Sequence, residues 1–265
     1  MNIVTIIQAR MGSSRLPGKI LFPLAGKPLL VRIVERVRVS KLAGEIIVAT
    51  TNDPSDDIIT NICKKDNIHF YRGDSNNLLD RHYKASIDRK PDIIVKIPSD
   101  CPLIDHAVID KVLEYFISNY EIYDYVSNLH PATYPDGNDV EAMSFKSLTS
   151  AWQHAGRQFE LEHTTPYIWE NPDKFRIGNV MWESGKDYSM SHRFTIDYQD
   201  DYNFINSIYD ELFPINPLFS LDDILSLLEN KPELMKINSK YNGVNWYRNH
   251  LDELRTITPD QTRVI

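Results

Sequence analysis

Basic charge is scarce in this chain of 265 residues, with 29 Lys and Arg against 37 Asp and Glu and a net charge of −8. That balance excludes general nucleic-acid binding, which needs a basic surface. Cysteine is nearly absent. Cys63 and Cys101 are too few and too far apart for a disulfide framework or a zinc site, and both are expected to be reduced, as in the cytoplasm. No apolar run approaches the roughly 20 residues needed to span a bilayer. The N-terminus lacks a charged segment followed by an apolar core, so no signal peptide is expected and a membrane role is limited to a peripheral one. There is no internal repeat or low-complexity segment. Neither a Ser-His-Asp order nor a His-Glu-x-x-His pattern occurs, which removes support for hydrolase and zinc-protease readings. What remains is ordinary globular composition, 42% hydrophobic and 25% charged, with enough length for one substantial core.

Against the acidic background, Arg10, Arg15, Lys19 and Lys27 form a local basic exception. Three of them lie in the loop Ala9-Arg-Met-Gly-Ser-Ser-Arg-Leu-Pro-Gly-Lys19, which follows the β-branched run Ile3–Gln8. Glycines let backbone N–H groups approach a ligand, hydroxyls donate and cations neutralise, so the loop suits a polyphosphate. It is not a Walker A loop: five residues separate Gly12 from Gly18 where that motif has four, and Ile20 stands where the hydroxyl after the lysine belongs. The dinucleotide fingerprint G-x-G-x-x-G is absent too.

Apolar runs at Ile3–Gln8, Glu45–Thr50 and Asp92–Ile97 read as buried parallel strands. Pro28–Val37, Asp56–Lys65 and Leu78–Asp88 read as the helices between and after them, with apolar residues on one face. The alternation implies a parallel doubly wound sheet, whose ligands bind beyond the carboxyl ends of the strands. The loops Ala9–Lys19, Thr50–Ser55 and Pro98–Asp105 are then expected to converge on one edge. Beyond the helical stretch Val108–Asn119, residues 125–192 read as an arm built on the same sheet, within one domain spanning 1–265. The arm holds a short strand at Asp139–Ser144, helices at Phe145–Gly156 and from Glu162, and a strand at Phe175–Trp182. Arg193–Ile196 reads as a further strand, and Tyr202–Leu212 and Leu221–Asn230 as helices. From Asn242 onward there is no clear pattern.

Asp100 in Ile97-Pro-Ser-Asp100-Cys-Pro and Asp197 in Arg193-Phe-Thr-Ile-Asp197 each follow an apolar segment. They are candidates for a magnesium site, which takes one or two carboxylates plus phosphate oxygens. Either could instead cap the helix that follows. His163 and His192 are the histidines of most interest.

The segment Ile7–Lys19 closely resembles the signature of the spore-coat-polysaccharide type of cytidylyltransferase, a group similar to the CMP-Kdo and CMP-sialic acid synthetases. The resemblance extends over about residues 1–210 through Tyr71-Arg-Gly-Asp74 with Leu78-Leu-Asp-Arg81, Ser99–Asp105, Tyr134-Pro-Asp-Gly137 with Asp139-Val-Glu141, Glu162-His-Thr-Thr165 and Arg193–Asp197. It departs at Lys96 and Leu161, where arginine is frequent.

The resemblance implies a three-layer α/β/α, Rossmann-like nucleotide-diphospho-sugar transferase fold with an inserted arm. CTP would be the donor and Mg²⁺ the cofactor, bound by Asp100 and Asp197. Arg10, Ser13, Arg15 and Lys19 would contact the triphosphate, helped by Gln8, Ala9 and the backbone of Gly12 and Ser14. Thr50, Asn52, Arg72 and Ser99 would lie near the nucleoside, and Lys19, Arg15, Asp100 and Asp197 would carry the chemistry. Tyr134, Asp136, Glu141, His163 and Arg193 are acceptor candidates, with His130, Asn138, Arg157, Arg176 and His192. The cations among these suit an anionic acceptor such as a sugar acid, phosphate or phosphonate. Relatives are dimers that place part of the arm against the partner. A glycosyltransferase of related fold is the alternative, but it usually carries Asp-x-Asp where this chain has Ser99-Asp100-Cys101. A non-catalytic nucleotide-binding protein would be expected to have lost Asp100 or Asp197.

Overall fold

In the computed structural model, which describes residues 1–265, β1 (Ile3–Gln8) lies in the middle of a seven-stranded sheet. Alternation of side chains along it splits its apolar residues between two cores: Ile3 and Ile7 face one, Val4 and Ile6 the other. Because helices cover both faces, the whole strand up to Ile7 is buried. A two-stranded ribbon, β2 (Pro23–Leu24) and β3 (Lys27–Pro28), leads into α1 (Leu29–Val37). Leu29, Leu30, Ile33, Val34 and Val37 of α1 are fully buried, each contributing about 1.5–3 kcal/mol of apolar burial.

Next come β4 (Glu45–Thr51), α2 (Asp57–Lys65), β5 (His69–Gly73), α3 (Leu78–Ser86), β6 (Ile93–Pro98) and α4 (His106–Ser118). The strands β5, β4, β1 and β6 pair in that order, all parallel. β7 (Tyr125–Ser127), β8 (Glu141–Ser144) and β9 (Ile177–Asn179) extend the sheet beyond β6. β8 runs antiparallel to both β6 and β7, while β9 is parallel to β7. Residues 125–192 thus add three strands to the main sheet, together with α5 (Phe145–His154), α6 (Gln158–His163) and α7 (Pro166–Trp169). The helices α8 (Gln199–Leu212) and α9 (Leu221–Asn230) complete the layer that holds α1, α2 and α4.

Several expectations need correction. β5 was not among the expected strands because it is an edge strand: His69 is exposed and Phe70, Tyr71 and Arg72 are half-buried, so it has no continuous apolar run. The strand at Phe175–Trp182 shrinks to Ile177–Asn179, and β8 begins only at Glu141. Arg193–Ile196 forms no strand, only a single bridge from Arg193 to Asp136, because its backbone is spent joining loops. The patternless tail is ordered by short helical turns at Trp246–Asn249 and Pro259–Gln261, with Leu254 and Ile257 sunk into the second core. No helix is long and apolar enough to cross a membrane, and both cysteines are buried and unpaired.

Candidate active site

The loop after β1 is shaped by its own backbone. Ser13 N and Gly18 N both donate to the Met11 carbonyl, at 2.9 and 3.0 Å. Gly18 has φ +72°, a left-handed conformation that suits glycine, and it starts the helical turn on which Lys19 stands. The loop is fastened from beneath by Asp56, which is buried. Its carboxylate accepts from Met11 N (2.7 Å), Thr51 N (3.1 Å), Thr50 Oγ1 (3.1 Å) and Thr51 Oγ1 (2.5 Å). Asp56→Ala strands those buried donors, each at about 1–3 kcal/mol. The expected result is at least a tenfold rise in KM for the nucleotide with an unchanged oligomeric state, checked by steady-state kinetics beside a melting curve.

Asp100 follows β6. It does not cap α4, since Asp105 does so through a bond from Ala107 N at 2.7 Å. Nor does Asp197 cap α8: the Asp201 carboxylate takes the amides of Asp197 and Tyr198, both at 3.0 Å. The two loops are joined directly by Ile196 N donating to the Asp100 carbonyl at 2.8 Å. Both carboxylates meet Lys19 Nζ, Asp100 at 2.9 Å and Asp197 at 3.1 Å, and the ammonium also donates to the Ile196 carbonyl. Arg15 closes on Asp197 at 2.5 Å. Burial opposes ionisation of both Lys19 and Asp197. Attraction wins in both: Asp100 and then Asp197 raise the lysine, while Lys19, Arg15 and Arg193 hold Asp197 far below the usual carboxylate range.

Beneath this pair lies Arg193, 1% exposed. Its guanidinium reaches Asp201 (2.9 Å), Asp136 (3.1 Å), Asp197 (3.1 Å) and the Val244 carbonyl (2.6 Å). One guanidinium cannot neutralise three carboxylates. Burial therefore keeps Asp136 protonated far above its ordinary value. Gly137 lets the Asp136 loop close over this cluster: at φ +106°, a Cβ there would stand 2.6 Å from the Phe194 carbonyl carbon.

A cleft of about 740 Å³ runs from this centre towards the arm, within the range usual for small-ligand sites. Gln8, Ala9, Arg10, Ser13, Ser14, Arg15, Lys19, Ser99, Asp100 and Asp197 line it, as do Tyr134, Asp136, Glu141, His163 and Arg193. Gln8 Oε1 is buried without a partner, an acceptor waiting for a donor. Glu141 is ion-paired with Lys96 and accepts from Tyr125 at 2.7 Å. The attraction of Lys96 outweighs burial and lowers its pKa.

Other expected residues lie elsewhere. Thr50, Asn52, Arg72 and Gly12 do not line the cleft. Thr50 is bound to Asp56, and Arg72 ties the Thr51 and Asp53 carbonyls to Asp57. The loop after β4 therefore braces the loop after β1 from outside the cleft. Lys27 turns away to Glu35 at 2.5 Å. Arg157 pairs with Glu160 and Arg176 with Asp124, both outside the cleft. His192 stacks on Tyr188, with ring centroids 3.9 Å apart, and also lies outside it.

Some contributors were not singled out by sequence. Arg81 lines the cleft with Nε buried and unpartnered; burial, then Arg10, pushes its guanidinium down to about 10. It is a cation short of a counter-charge. Its signal was its place in the Leu78–Arg81 motif. Asp139 also lines the cleft, and burial pushes its carboxyl up to about 6. As pH rises from about 4 to 6 the unfolded chain loses this proton while the folded chain keeps it, so folded stability falls. Asp139→Asn removes that loss. The metal-free variant is expected to exceed the wild type in stability by about 1–3 kcal/mol at pH 8 and to match it near pH 4, measured by denaturant titration.

Asp100 and Asp197 already share one cation, Lys19 Nζ, so their placement fits an ion held by two carboxylates and completed by ligand oxygens. No group of three or more His, Cys, Asp or Glu side chains is arranged to hold a metal ion by itself. The carboxylate pair would therefore depend on the substrate's oxygens.

A doubly wound sheet with a cationic loop facing two aspartates, one beyond β6 and one before α8, marks the class as a nucleotidyltransferase. The cytidylyltransferase family model matches residues 4–236, and the chain belongs to that family. It is 36% identical to the uncharacterized protein MJ1063 of Methanocaldococcus jannaschii over 90% of this chain and 95% of that one. It is 32% identical to the spore coat polysaccharide biosynthesis protein SpsF of Bacillus subtilis, over 88% and 96%. Among solved structures, a cytidylyltransferase from Leptospira borgpetersenii superposes with a TM-score of 0.83 at 32% identity, covering 89% of this chain and 97% of that one. A CMP-2-keto-3-deoxy-manno-octonic acid synthetase complexed with CTP shares the fold, with a TM-score of 0.59 at 16% identity over 80% and 99%. So does Rv0371c of Mycobacterium tuberculosis, solved with manganese, at a TM-score of 0.53 and 13% identity over 78% and 99%.

Proposed function

We propose that this cytidylyltransferase uses CTP and transfers CMP to an anionic sugar-type acceptor, releasing pyrophosphate, in the supply of precursors for a surface polysaccharide. The observation that carries the reading is the meeting of Arg15 and Lys19 with Asp100 and Asp197 at one end of the cleft. The name of the Bacillus relative supports the polysaccharide setting.

An acceptor hydroxyl attacks the α-phosphorus of CTP; the new P–O bond makes the CMP-linked product as the bond to the β-phosphate bridge breaks. Such a reaction asks the protein for positioning and charge stabilisation. Lys19 and Arg15 leave their aspartates for the β- and γ-phosphates and stabilise the departing pyrophosphate, with the Ser14 amide and the Ser13 hydroxyl beside them. Gln8 Oε1 offers its free acceptor to a base or ribose donor. Arg81 and the exposed Arg10 meet the acceptor's negative charge. Asp100 and Asp197 would hold a magnesium-class ion, whose chemistry there is to polarise the α-phosphate. Thr50, Asn52 and Arg72 act through the shape of the loop.

The enzyme is read as cytoplasmic, and as a homodimer whose arm, 125–192, meets the partner; exposed Met181 is one apolar residue available for that contact. Sedimentation of a Met181→Glu variant tests the dimer, with a shift to monomer expected. The function itself is tested by incubating the protein with Mg²⁺, each of the four NTPs and a panel of acidic sugars. Pyrophosphate release is expected with CTP, and only when an acceptor is present. Equal release from all NTPs, or none from CTP, would overturn the reading.

A further inference from the structure

The family match ends at residue 236, yet the chain beyond it returns to the cleft. The returning segment starts on the central guanidinium, where the Val244 carbonyl accepts from Arg193 Nη1 at 2.6 Å. It finishes on Glu170, whose fully buried carboxylate accepts from the amides of Arg255 (2.8 Å) and Thr256 (2.9 Å) and from the Thr256 hydroxyl (2.5 Å). Leu254 and Ile257 anchor the same stretch in the core. A loose tail would not be held by a buried carboxylate at one end and a buried guanidinium at the other.

Between these anchors Trp246, Tyr247 and His250 line the cleft, packed beside the acceptor candidate His163. The Trp246 indole lies against the His163 ring, 3.8 Å between centroids and 13° from parallel, and meets Tyr247 edge-on at 4.7 Å. Burial, then Lys96, pushes His163 down to about 3, so this is a neutral aromatic patch throughout the ordinary pH range. Of the cations near it, Lys96 is consumed by Glu141, and Arg10 is left for the acceptor's charge. The wall therefore recognises by contact and shape more than by charge, as an aromatic face does against the C–H face of a sugar ring.

We propose that the segment from Val244 to Leu254 is the acceptor wall, and that Trp246 is a specificity-determining residue that packs on the ring of a sugar acceptor. This rests on the cytidylyl-transfer reading, which assigns Arg15 and Lys19 to the nucleotide and leaves His163 and its neighbours to the acceptor. Trp246 touches the acceptor and leaves CTP alone.

The test uses the full chain as wild type, Trp246→Ala and Trp246→Phe. Calorimetry measures the affinity of α,β-methylene-CTP, which cannot be cleaved at that bridge. It then measures, on the nucleotide-loaded protein, the affinity of 3-deoxy-manno-octulosonate, its 8-amino analogue, N-acetylneuraminate and the open-chain 2-aminoethylphosphonate. Trp246→Ala is expected to weaken the ring acid that the wild type binds by at least about tenfold. Trp246→Phe should recover to within about threefold, and nucleotide affinity should change less than about twofold in either. Unchanged ring-acid affinity in Trp246→Ala, nucleotide affinity falling in parallel, or binding of only the open-chain phosphonate or of no acceptor would each overturn the proposal while the transfer reading stands. Failure of the wild type to bind the nucleotide would overturn the transfer reading, and the proposal with it.

Discussion

Lys19→Ala is expected to lower kcat by at least a hundredfold. The ammonium touches both aspartates and the Ile196 carbonyl, and in the proposed reaction it exchanges these partners for the polyphosphate. Losing one positioned donor of this kind typically costs about 2.7–4 kcal/mol of barrier, or about 10²–10³ in rate. Asp197 keeps Arg15 and Arg193, so the carboxylate is not stranded and the far-ultraviolet dichroism should be unchanged. Lys19→Arg should not restore the rate, because a planar fork cannot reproduce a compact point charge in a narrow gap between two carboxylates. Single-turnover measurement with saturating CTP checks both variants. Near-normal rates in Lys19→Ala would remove the lysine from the chemistry.

Arg193→Met should produce the largest loss of stability. The substitution roughly keeps the volume but leaves the fully buried Asp201 carboxylate beside Asp197 without its cation. Breaking a buried ion network from one side costs about 3–5 kcal/mol, which for a chain of this size lowers Tm by about 10 °C. The pH dependence has a definite sign. Asp197 is held below its unfolded value, so its contribution is complete above about pH 4 and is lost as the pH falls through its folded value. The gap between wild type and variant is therefore expected to narrow in acid. Scanning calorimetry at pH 7 and pH 3 checks this. A gap of the same size at pH 3 would mean that Arg193 contributes by packing rather than charge.

The buried strands β1, β4 and β6 were legible because each is a continuous apolar run between polar loops, and α1 because its apolar stripe keeps to one face. Edge strand β5 was not, since half-exposed Tyr71 and Arg72 give no such run. Asp100 and Asp197 could be picked out as strand-end carboxylates, but their meeting depends on the bond from Ile196 N to the Asp100 carbonyl. Backbone bonds of that kind leave no trace in spacing. Thr50 and Arg72 show the converse: motif residues whose side chains turn out to brace a loop from outside the cleft. The C-terminal wall was invisible because Trp246, Tyr247 and His250 sit on short turns without period. Only the tertiary anchors at Arg193 and Glu170 bring them to the site.

The proposed reaction is attack at the α-phosphorus of CTP by an acceptor bound in the same cleft. Incubation with CTP carrying ³²P at the α position, Mg²⁺ and a ring-sugar acid follows that atom directly. The label should move into a new acceptor ester, with unlabelled pyrophosphate formed in equal amount, and the transfer should vanish in Asp100→Asn. Label that stays in CDP while free phosphate appears would place the cleavage at the γ-phosphate and contradict it.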